Sequence, residues 1–235
     1  FNPTCTIPLP YVEPFDTAIT FTQIGWKIFE FGTKATDHWS LPNAGELSGS
    51  SAMDRLLKFV WNPTTVKVKS VAVTPRLDAS LNDWANTLEK TTIQFRMVYK
   101  HSMAGAQPPV TLRVVASVAS DLSDTTGGQM DIWRMENVDE DLPYQIVTAE
   151  IPKTIWNSDK LRIGFMVDTL DASTFGMDNW QIDDVRVAFG VPNQFLKARV
   201  FHCDPNNGTL CDSGNSFGEI DTFPTVAMGS CDWFR

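Results

Sequence analysis

The chain contains few of the residues on which many catalytic and metal centres depend. Its 235 residues include only 3 histidines and 4 cysteines. His38, His101 and His202 are far apart, and the sequence has no H-E-x-x-H motif, so it offers no basis for a catalytic zinc site. No segment approaches the roughly 18 consecutive apolar residues that indicate a membrane-spanning helix. A zinc hydrolase and an integral membrane protein are therefore disfavoured.

The chain also has fewer basic than acidic residues. There are 19 Lys and Arg residues against 28 Asp and Glu, which gives a net charge of −9 and a pI near 4.7. Such a surface repels phosphates and anionic lipids, so we expect neither nucleic acid as a partner nor insertion into a membrane. The chain begins at Phe1 and not at a methionine, from which we expect a processed or excerpted soluble protein.

Motifs for hydrolysis are present only as fragments. Residues 214–218 match G-x-S-x-G, but they lie in a turn-rich segment without the strand and helix that hold such a nucleophile. A triad would need a later histidine, and the last one is His202. The acids at 136 and 139–141 are interpreted as a solvated loop and not as a glycosidase pair. We therefore expect no enzymatic activity.

Apolar and polar residues alternate in several segments separated by turn formers. Ile93, Phe95 and Met97, for example, alternate with Gln94 and Arg96, which predicts strands with one buried and one wet face. Antiparallel packing suits this pattern, so we predict an all-β fold, an antiparallel β-sandwich of jelly-roll type. A helical spacing over 77–88 fits a short helix or an ordered loop. The predicted strands are 26–32, 56–61, 66–73, 91–101, 110–119, 130–135, 145–151, 160–168 and 180–189.

The composition changes near Val191-Pro192. Residues 191–235 are rich in Gly, Pro, Asn, Asp and Ser, and they hold three of the four cysteines. We therefore predict a sandwich over residues 1–190 and a cysteine-containing extension over 191–235. The extension could be a small appended unit, a linker to a further domain or a segment that docks on another copy.

The four cysteines are predicted to form disulfides. Cys203 and Cys211 enclose seven residues rich in turn formers, which favours a local loop, and Cys5 would then join Cys231. The alternative, a zinc site, lacks a C-x-x-C pair. Disulfides imply an oxidising compartment, so we expect an extracellular or cell-surface protein. Asn207 begins the glycosylation sequon Asn-Gly-Thr, in which no proline blocks modification.

Two adjacent acids interrupt the last predicted strand. The apolar positions change from even numbers before Asp183-Asp184, such as Trp180, to odd numbers after it, such as Val185. A strand alternates strictly, so a β-bulge or a bound ion is needed to reconcile this switch. A desolvated carboxylate must also be paired, hydrogen-bonded or metal-bound. Asp183 could instead cap a turn or pair with Arg186 or Lys27.

This acidic segment resembles the last strand of MAM-like and cleaved-adhesin jelly-roll modules of extracellular proteins, which overlap in fold with many carbohydrate-binding modules. Residues 13–16 are similar to their opening E-x-F-E/D, residues 74–77 to their S-P-x-L/I, and 161–165 to the strand before the acidic pair. The resemblance implies a structural Ca²⁺ bound by Asp16 and Asp183, with Glu13 and Asp184 as substitutes and backbone carbonyls completing the shell.

The resemblance also implies a function in binding. We expect a non-catalytic, adhesin-like module whose partner is a cell-surface protein, a glycan or copies of itself. Two alternatives remain: a carbohydrate-binding module of a larger enzyme, and a structural subunit of a surface filament or shell. Trp39 and Trp156 flank polar or turn residues, so they are the candidates for exposed rings that stack on a sugar, and packing in the core or at its rim is the favoured alternative for each.

Overall fold

The described part of the chain is built almost entirely from β-strands. It carries one short helix, α1 (Lys153–Trp156). The computed structural model describes residues 6–16, 20–31, 39–42, 55–61, 69–80, 90–101, 110–119, 122, 129–156, 158–168 and 177–189. The strands are β1 (Ile7–Pro8), β2 (Tyr11–Glu13), β3 (Lys27–Phe31), β4 (Trp39–Ser40), β5 (Leu57–Val60), β6 (Lys69–Val73), β7 (Leu77–Asp78), β8 (Thr91–His101), β9 (Val110–Ser117), β10 (Gln129–Val138), β11 (Leu142–Ile151), β12 (Arg162–Asp168) and β13 (Met177–Phe189).

Most of these strands form two antiparallel sheets. The five-stranded sheet has the order β10-β9-β12-β6-β3, and the six-stranded sheet has the order β11-β8-β13-β5-β4, with β2 also paired to β13. Both sheets contain only antiparallel ladders among the described strands, whereas β1 and β7 form a separate two-residue parallel pair. The prediction of an all-β, antiparallel sandwich is confirmed.

Aromatic side chains join the two sheets in the core. Phe165 on β12 of the five-stranded sheet lies 5.1 Å from Phe95 on β8 and 6.0 Å from Trp180 on β13, measured between ring centroids. Its ring also stacks on Trp26 at 6.0 Å. Both Phe165 and Trp180 are fully buried. Edge-to-face and offset contacts of this kind add to the hydrophobic gain from burying large rings, so Phe165 is a junction of the core.

The second face of the five-stranded sheet is apolar too, which corrects the prediction of one buried and one wet face for this sheet. Val71, Val115 and Met166 alternate with core residues, yet they are fully buried in a second cluster. Leu122, from the connection between β9 and β10, packs into this cluster and is itself fully buried. The long apolar run of β12 is thus explained, because a strand covered on both faces does not alternate.

Gly164 on β12 provides the space for Leu122. A Cβ at Gly164 would lie 2.7 Å from a methyl of Val71, 2.9 Å from Leu122 and 3.1 Å from Val115. We therefore expect Gly164→Ala to destabilise the sandwich by about 1–3 kcal/mol, the usual range for overpacking. Urea unfolding followed by tryptophan fluorescence would measure the loss. The exposed Thr148→Ala is the control, and equal midpoints for both variants would contradict this packing.

The strand prediction succeeded better for long elements than for short ones. Each predicted strand overlaps an observed strand, whereas β1, β2, β4 and β7 were not predicted. These four have two or three residues each, too few to show a period. The possible helix over 77–88 begins instead with strand β7, and residues 81–89 lie outside the described part.

All described residues belong to one unit, Phe1–Pro192. The predicted extension over 191–235 lies outside the described residues, as do Cys5, Cys203, Cys211, Cys231 and Asn207. Their disulfide pairing and glycosylation therefore stay predictions. Within the described ranges, no helix combines the length and the apolar character needed to cross a bilayer.

Candidate functional site

A β-bulge lies at the acidic pair of β13. Asp183 is paired with Arg96 of β8, and Arg186 with Gln94, so two residues of β13 oppose the single residue Phe95. Asp184 has a positive φ of 49°, in the left-handed region that aspartate tolerates better than most residues. The bulge keeps apolar residues on both sides of the pair in the core, so the predicted need for a bulge or an ion is met by a bulge.

The edge partner of β13 also changes at this point. Before the acids, Ile182 is paired with Leu57 of β5; after them, Val185 is paired with Glu13 of β2. Asp183 and Asp184 therefore lie between the ends of two neighbouring strands, where the ladder along this edge of β13 is interrupted. Their bulged backbone is positioned beside the opening segment of the chain.

Glu13, in that opening segment, is a buried carboxyl with 9% of its surface exposed. Its Oε1 accepts a hydrogen bond of 2.9 Å from the backbone N–H of Phe15, which has a positive φ of 59° and is followed by Asp16. Burial raises the pKa of Glu13 to about 7; the Phe15 hydrogen bond opposes the rise, and the charges of Asp16 and Asp183 add to it. Acids from β2 and β13 are therefore electrostatically coupled.

Asp183 is in a comparable environment, with 4% of its surface exposed. Its Oδ1 accepts a hydrogen bond of 2.8 Å from the backbone N–H of Asp184. The pKa of Asp183 is raised to about 7: burial is the main cause and the charges of Asp184 and Asp16 contribute, while that hydrogen bond and Arg96 oppose the rise. This local hydrogen bond agrees with one of the alternatives that the sequence offers for Asp183, a cap on a turn.

Asp184 has different partners. Its Oδ2 lies 2.8 Å from Nε of Arg96 and 4.0 Å from Nη2 of Arg186. The ion pair that we considered for Asp183 with Arg186 is thus formed by Asp184. The two adjacent acids therefore differ in their closest partners: Asp184 forms the ion pairs with Arg96 and Arg186, whereas the buried Asp183 interacts electrostatically with Asp184, Arg96 and Asp16.

The chemistry of Glu13, Asp16 and Asp183 suits a hard, oxygen-seeking cation. Two of these carboxyls are buried, and each of the two is destabilised by neighbouring negative charge, which a divalent ion would relieve. Within the described residues, no three His, Cys, Asp or Glu side chains converge closely enough to hold a metal on their own. Any Ca²⁺ here would need backbone carbonyls or water to complete its shell of six to eight oxygens.

The expectation of an exposed ring at Trp39 is wrong. Trp39 is 3% exposed and lies 5.2 Å from Phe59 and 6.1 Å from Trp180, between ring centroids. Its strand β4 pairs with β5 and directs the indole into the core while Ser40 points outward. A ring in this position has no face to offer a sugar. Trp156 ends helix α1, and its side chain lies outside the described part.

The acids predicted to form a solvated loop are all exposed: Glu136, Asp139, Glu140 and Asp141. The last three lie between β10 and β11, whereas Glu136 lies on β10 itself, which corrects its assignment to a loop. Asp141 lies 3.2 Å from Nζ of Lys100 and accepts a backbone hydrogen bond of 2.7 Å from His101, and this hydrogen bond is the main cause of its lowered pKa. These are the contacts of a structural turn.

One surface was not identified from the sequence: the open part of the outer face of the six-stranded sheet. Pairing between β13, β8 and β11 places Arg186, Gln94 and Thr148 in one row, and Arg96 beside Ile146 in the next. Ile146 is 57% exposed. Alternation predicted an outward direction for Gln94 and Arg96, but only the register shows which residues of β11 and β13 are their neighbours.

Comparison with known proteins supports the fold assignment. No protein-family model and no curated sequence matches the chain. Among solved structures, the K1 cleaved adhesin domain of Lys-gingipain from Porphyromonas gingivalis superposes with a TM-score of 0.50 at 13% identity, covering 75% of this chain and 96% of that domain. A carbohydrate-binding module of Caldicellulosiruptor saccharolyticus, solved with mannohexaose, gives a TM-score of 0.43 at 13% identity over 76% of this chain and 96% of that one.

The chain is thus similar in fold to the cleaved-adhesin domain, and the resemblance predicted from the sequence is confirmed at the level of the fold. At such low identity, the likeness shows the architecture and not the function.

Proposed function

We propose that this chain is a non-catalytic extracellular binding module, a jelly-roll sandwich stabilised by Ca²⁺. The observation that carries the proposal is the coupled acid group of Glu13, Asp16 and Asp183 at the break in the edge of β13. It lies at the positions where the resemblance to cleaved-adhesin modules predicted an ion. The similar fold of a domain named as an adhesin agrees with a role in binding.

The ion would join the first and last strands of the sandwich. Asp16 and Asp183 are the proposed side-chain ligands, and Glu13 is the substitute closest in environment. Asp184 is a weaker candidate, because Arg96 already holds its carboxylate at 2.8 Å. Bound Ca²⁺ would stabilise the deprotonated carboxyls and fix the opening segment against β13, while the binding surface itself lies elsewhere on the module.

A binding assay coupled to an assay for product tests this function. The full chain would be immobilised in Ca²⁺ and exposed to a glycan array and to extracts of cell-surface proteins, with reducing ends measured on every glycan that it retains. We expect saturable retention without release of reducing ends. Catalytic turnover of a retained glycan would overturn the proposal, and so would the absence of any saturable partner.

A carbohydrate-binding module attached to a larger enzyme is the second candidate. The row of Arg186, Gln94 and Thr148 favours it, since amide, hydroxyl and guanidinium groups on an open sheet face suit sugar hydroxyls. Glycans alone on the array would support this candidate, whereas a protein partner would favour adhesion. Regular polymers seen by electron microscopy would support the filament alternative.

The proposal of an extracellular location carries a test on the cysteines. We expect Cys203–Cys211 and Cys5–Cys231 with no free thiol, because the short loop between the first pair is rich in turn formers. Closing a loop of this size contributes roughly 2–3 kcal/mol in the chain-entropy account. Peptide mapping under non-reducing conditions would identify the pairs; a Cys5–Cys203 peptide or an alkylated thiol would contradict the assignment.

A further inference from the structure

The outer face of the six-stranded sheet carries an open group of side chains that we call the arginine patch: Arg96, Arg186, Gln94, Thr148 and Ile146. Core residues such as Phe95, Val147 and Val187 alternate with them along the same strands, so all five members of the patch point away from the core. Their positions on three neighbouring strands give the patch a rigid floor.

Two guanidinium groups lie close together in the patch. Arg96 and Arg186 flank the carboxylate of Asp184, at 2.8 Å and 4.0 Å, and both arginine side chains are partly exposed. Asp183, which is paired with Arg96 across the strands, is buried. Glu150, further along β11, is held by Lys90 at 2.8 Å. In a chain of net charge −9, this pair of partly exposed guanidinium groups is a local concentration of positive charge that can attract an anion.

Arg186 also has a donor that no described group satisfies. Its Nε is buried and has no hydrogen-bond partner among the described residues. A buried N–H without a partner carries a desolvation penalty, which an acceptor from a ligand would remove. Guanidinium groups bind carboxylates through parallel hydrogen bonds, so the missing acceptor is best supplied by a second carboxylate.

The rest of the patch is suited to a sugar ring. Gln94 Nε2 is 3.4 Å from Thr148 Oγ1, a long hydrogen bond that leaves both groups able to bind hydroxyls. Ile146 offers an exposed apolar surface to the C–H face of a ring. The row across the three strands is about 10 Å long, given strand spacings of about 4.8 Å, which accommodates a short oligosaccharide.

We infer that the arginine patch binds an acidic glycan through a hexuronic acid, whose carboxylate is held by Arg186 and Arg96 and whose hydroxyls are held by Gln94 and Thr148. This inference deepens the proposed function, on which it rests, by naming the ligand class and the surface. Because Nε of Arg186 is buried, binding requires the Arg186 side chain to turn so that its Nε–H meets the carboxylate of the uronate.

Nuclear magnetic resonance of the full chain in Ca²⁺ tests the inference directly. Sodium glucuronate and sodium galacturonate would be titrated while the arginine Nε–H signals are followed, with glucose and sodium acetate as comparison ligands. We expect a saturable shift of Arg186 Nε–H with a uronate, and binding at least tenfold weaker for glucose and for acetate. A flat titration with both uronates overturns the inference; equal binding of acetate reduces the patch to a general anion site, and equal binding of glucose removes the role of the carboxylate.

Variants distinguish a loss of uronate binding at the patch from a loss of folding. Arg186→Gln should weaken uronate binding at least tenfold, and Arg186→Lys should also weaken it because lysine keeps the charge but loses the planar pair of donors. Arg134→Gln, on the other sheet and 47% exposed, is the matched control and should bind normally. Ile146→Asp places an anion on an exposed position without disturbing the core, so it tests the patch even where Arg186→Gln fails to fold; unchanged binding by Ile146→Asp would count against the site.

Failure of the inference about the arginine patch can be distinguished from failure of the proposed function. If the array identifies a protein or neutral glycan partner while uronates give no shift at Arg186, the module still binds and only the arginine patch is excluded. If neither assay finds saturable binding, the proposed function fails as well.

Discussion

Removing Ca²⁺ with EDTA is expected to lower the melting temperature of the chain at pH 8. Chelation leaves Glu13 and Asp183 ionised, buried and near Asp16, and Arg96 offsets the cost only in part and only for Asp183. Binding to the native state alone stabilises by about 2.7 kcal/mol at a hundredfold excess over the dissociation constant. For a domain of this size, that corresponds to about 5–10 °C, which a thermal melt followed by circular dichroism would measure.

The stability of the metal-free chain should fall as the pH rises, and the stabilisation by Ca²⁺ should grow. The folded-state pKa values of Glu13 and Asp183 are raised to about 7 from the ordinary values of 4.5 and 3.8. Without metal, the stability due to the protonated carboxyls is complete below pH about 4 and is lost as the pH rises through 7. The metal-free protein should therefore melt higher at pH 5 than at pH 8, and Ca²⁺ should stabilise more strongly at pH 8, where protons no longer compete for the carboxyls.

Asp183→Asn should have opposite effects with and without the ion. In EDTA at pH 8 it removes a buried charge that the Asp184 N–H and Arg96 offset only in part, so it should stabilise by about 1–3 kcal/mol. In Ca²⁺ it removes a ligand, so the response to the ion should shrink or vanish. Asp159→Asn, an exposed acid paired with Arg76, is the control and should change little in either buffer. If EDTA leaves the melting temperature unchanged and Asp183→Asn does not change the stability, no bound ion stabilises the chain.

Phe165→Ala is expected to be the most destabilising single substitution proposed for this chain. Phe165 contacts Phe95, Trp180 and Trp26, so its removal leaves a cavity where the two sheets meet. Substitutions of this kind cost about 3–5 kcal/mol, a large share of a typical total of 5–15 kcal/mol. Guanidinium unfolding would measure the loss, with a melting temperature lower by roughly 10 °C.

Two further variants define the cause of that loss. Phe165→Leu fills part of the cavity and should fall between the wild type and Phe165→Ala. Ile146→Ala removes a comparably apolar but 57% exposed side chain and should stay within about 0.5 kcal/mol of the wild type. A Phe165→Ala protein as stable as Ile146→Ala would show that the two sheets do not depend on this junction.

The architecture could be predicted from the sequence because each long strand repeats the alternation of apolar and polar residues several times. Eleven residues of β8 alternate clearly enough to be predicted with both ends correct. The two residues of β4 contain no period, so Trp39 could not be assigned to the core from its neighbours. The apolar second face of β12 was also missed as a covered face, because the covering residue Leu122 comes from a distant connection.

For the acidic pair, too, the sequence predicted one part of the structure and the tertiary contacts decided the rest. The change of parity at Asp183-Asp184 required a bulge or an ion, since a strand cannot turn apolar residues from both registers towards one core. Which acid meets which partner depends on the edge of β13, where β5 ends and β2 begins. That arrangement brings Glu13 near Asp183 and leaves Asp184 to Arg96 and Arg186.

By itself, the sequence of this protein determined an acidic, antiparallel β-sandwich with an irregular last strand, because periodicity and local charge are properties of neighbouring residues. Only the tertiary structure decided that Trp39 is buried, that Gly164 makes room for Leu122 and that Arg96 and Arg186 share a surface with Gln94. These contacts join strands far apart in the chain, and their register is fixed by packing across the whole sheet.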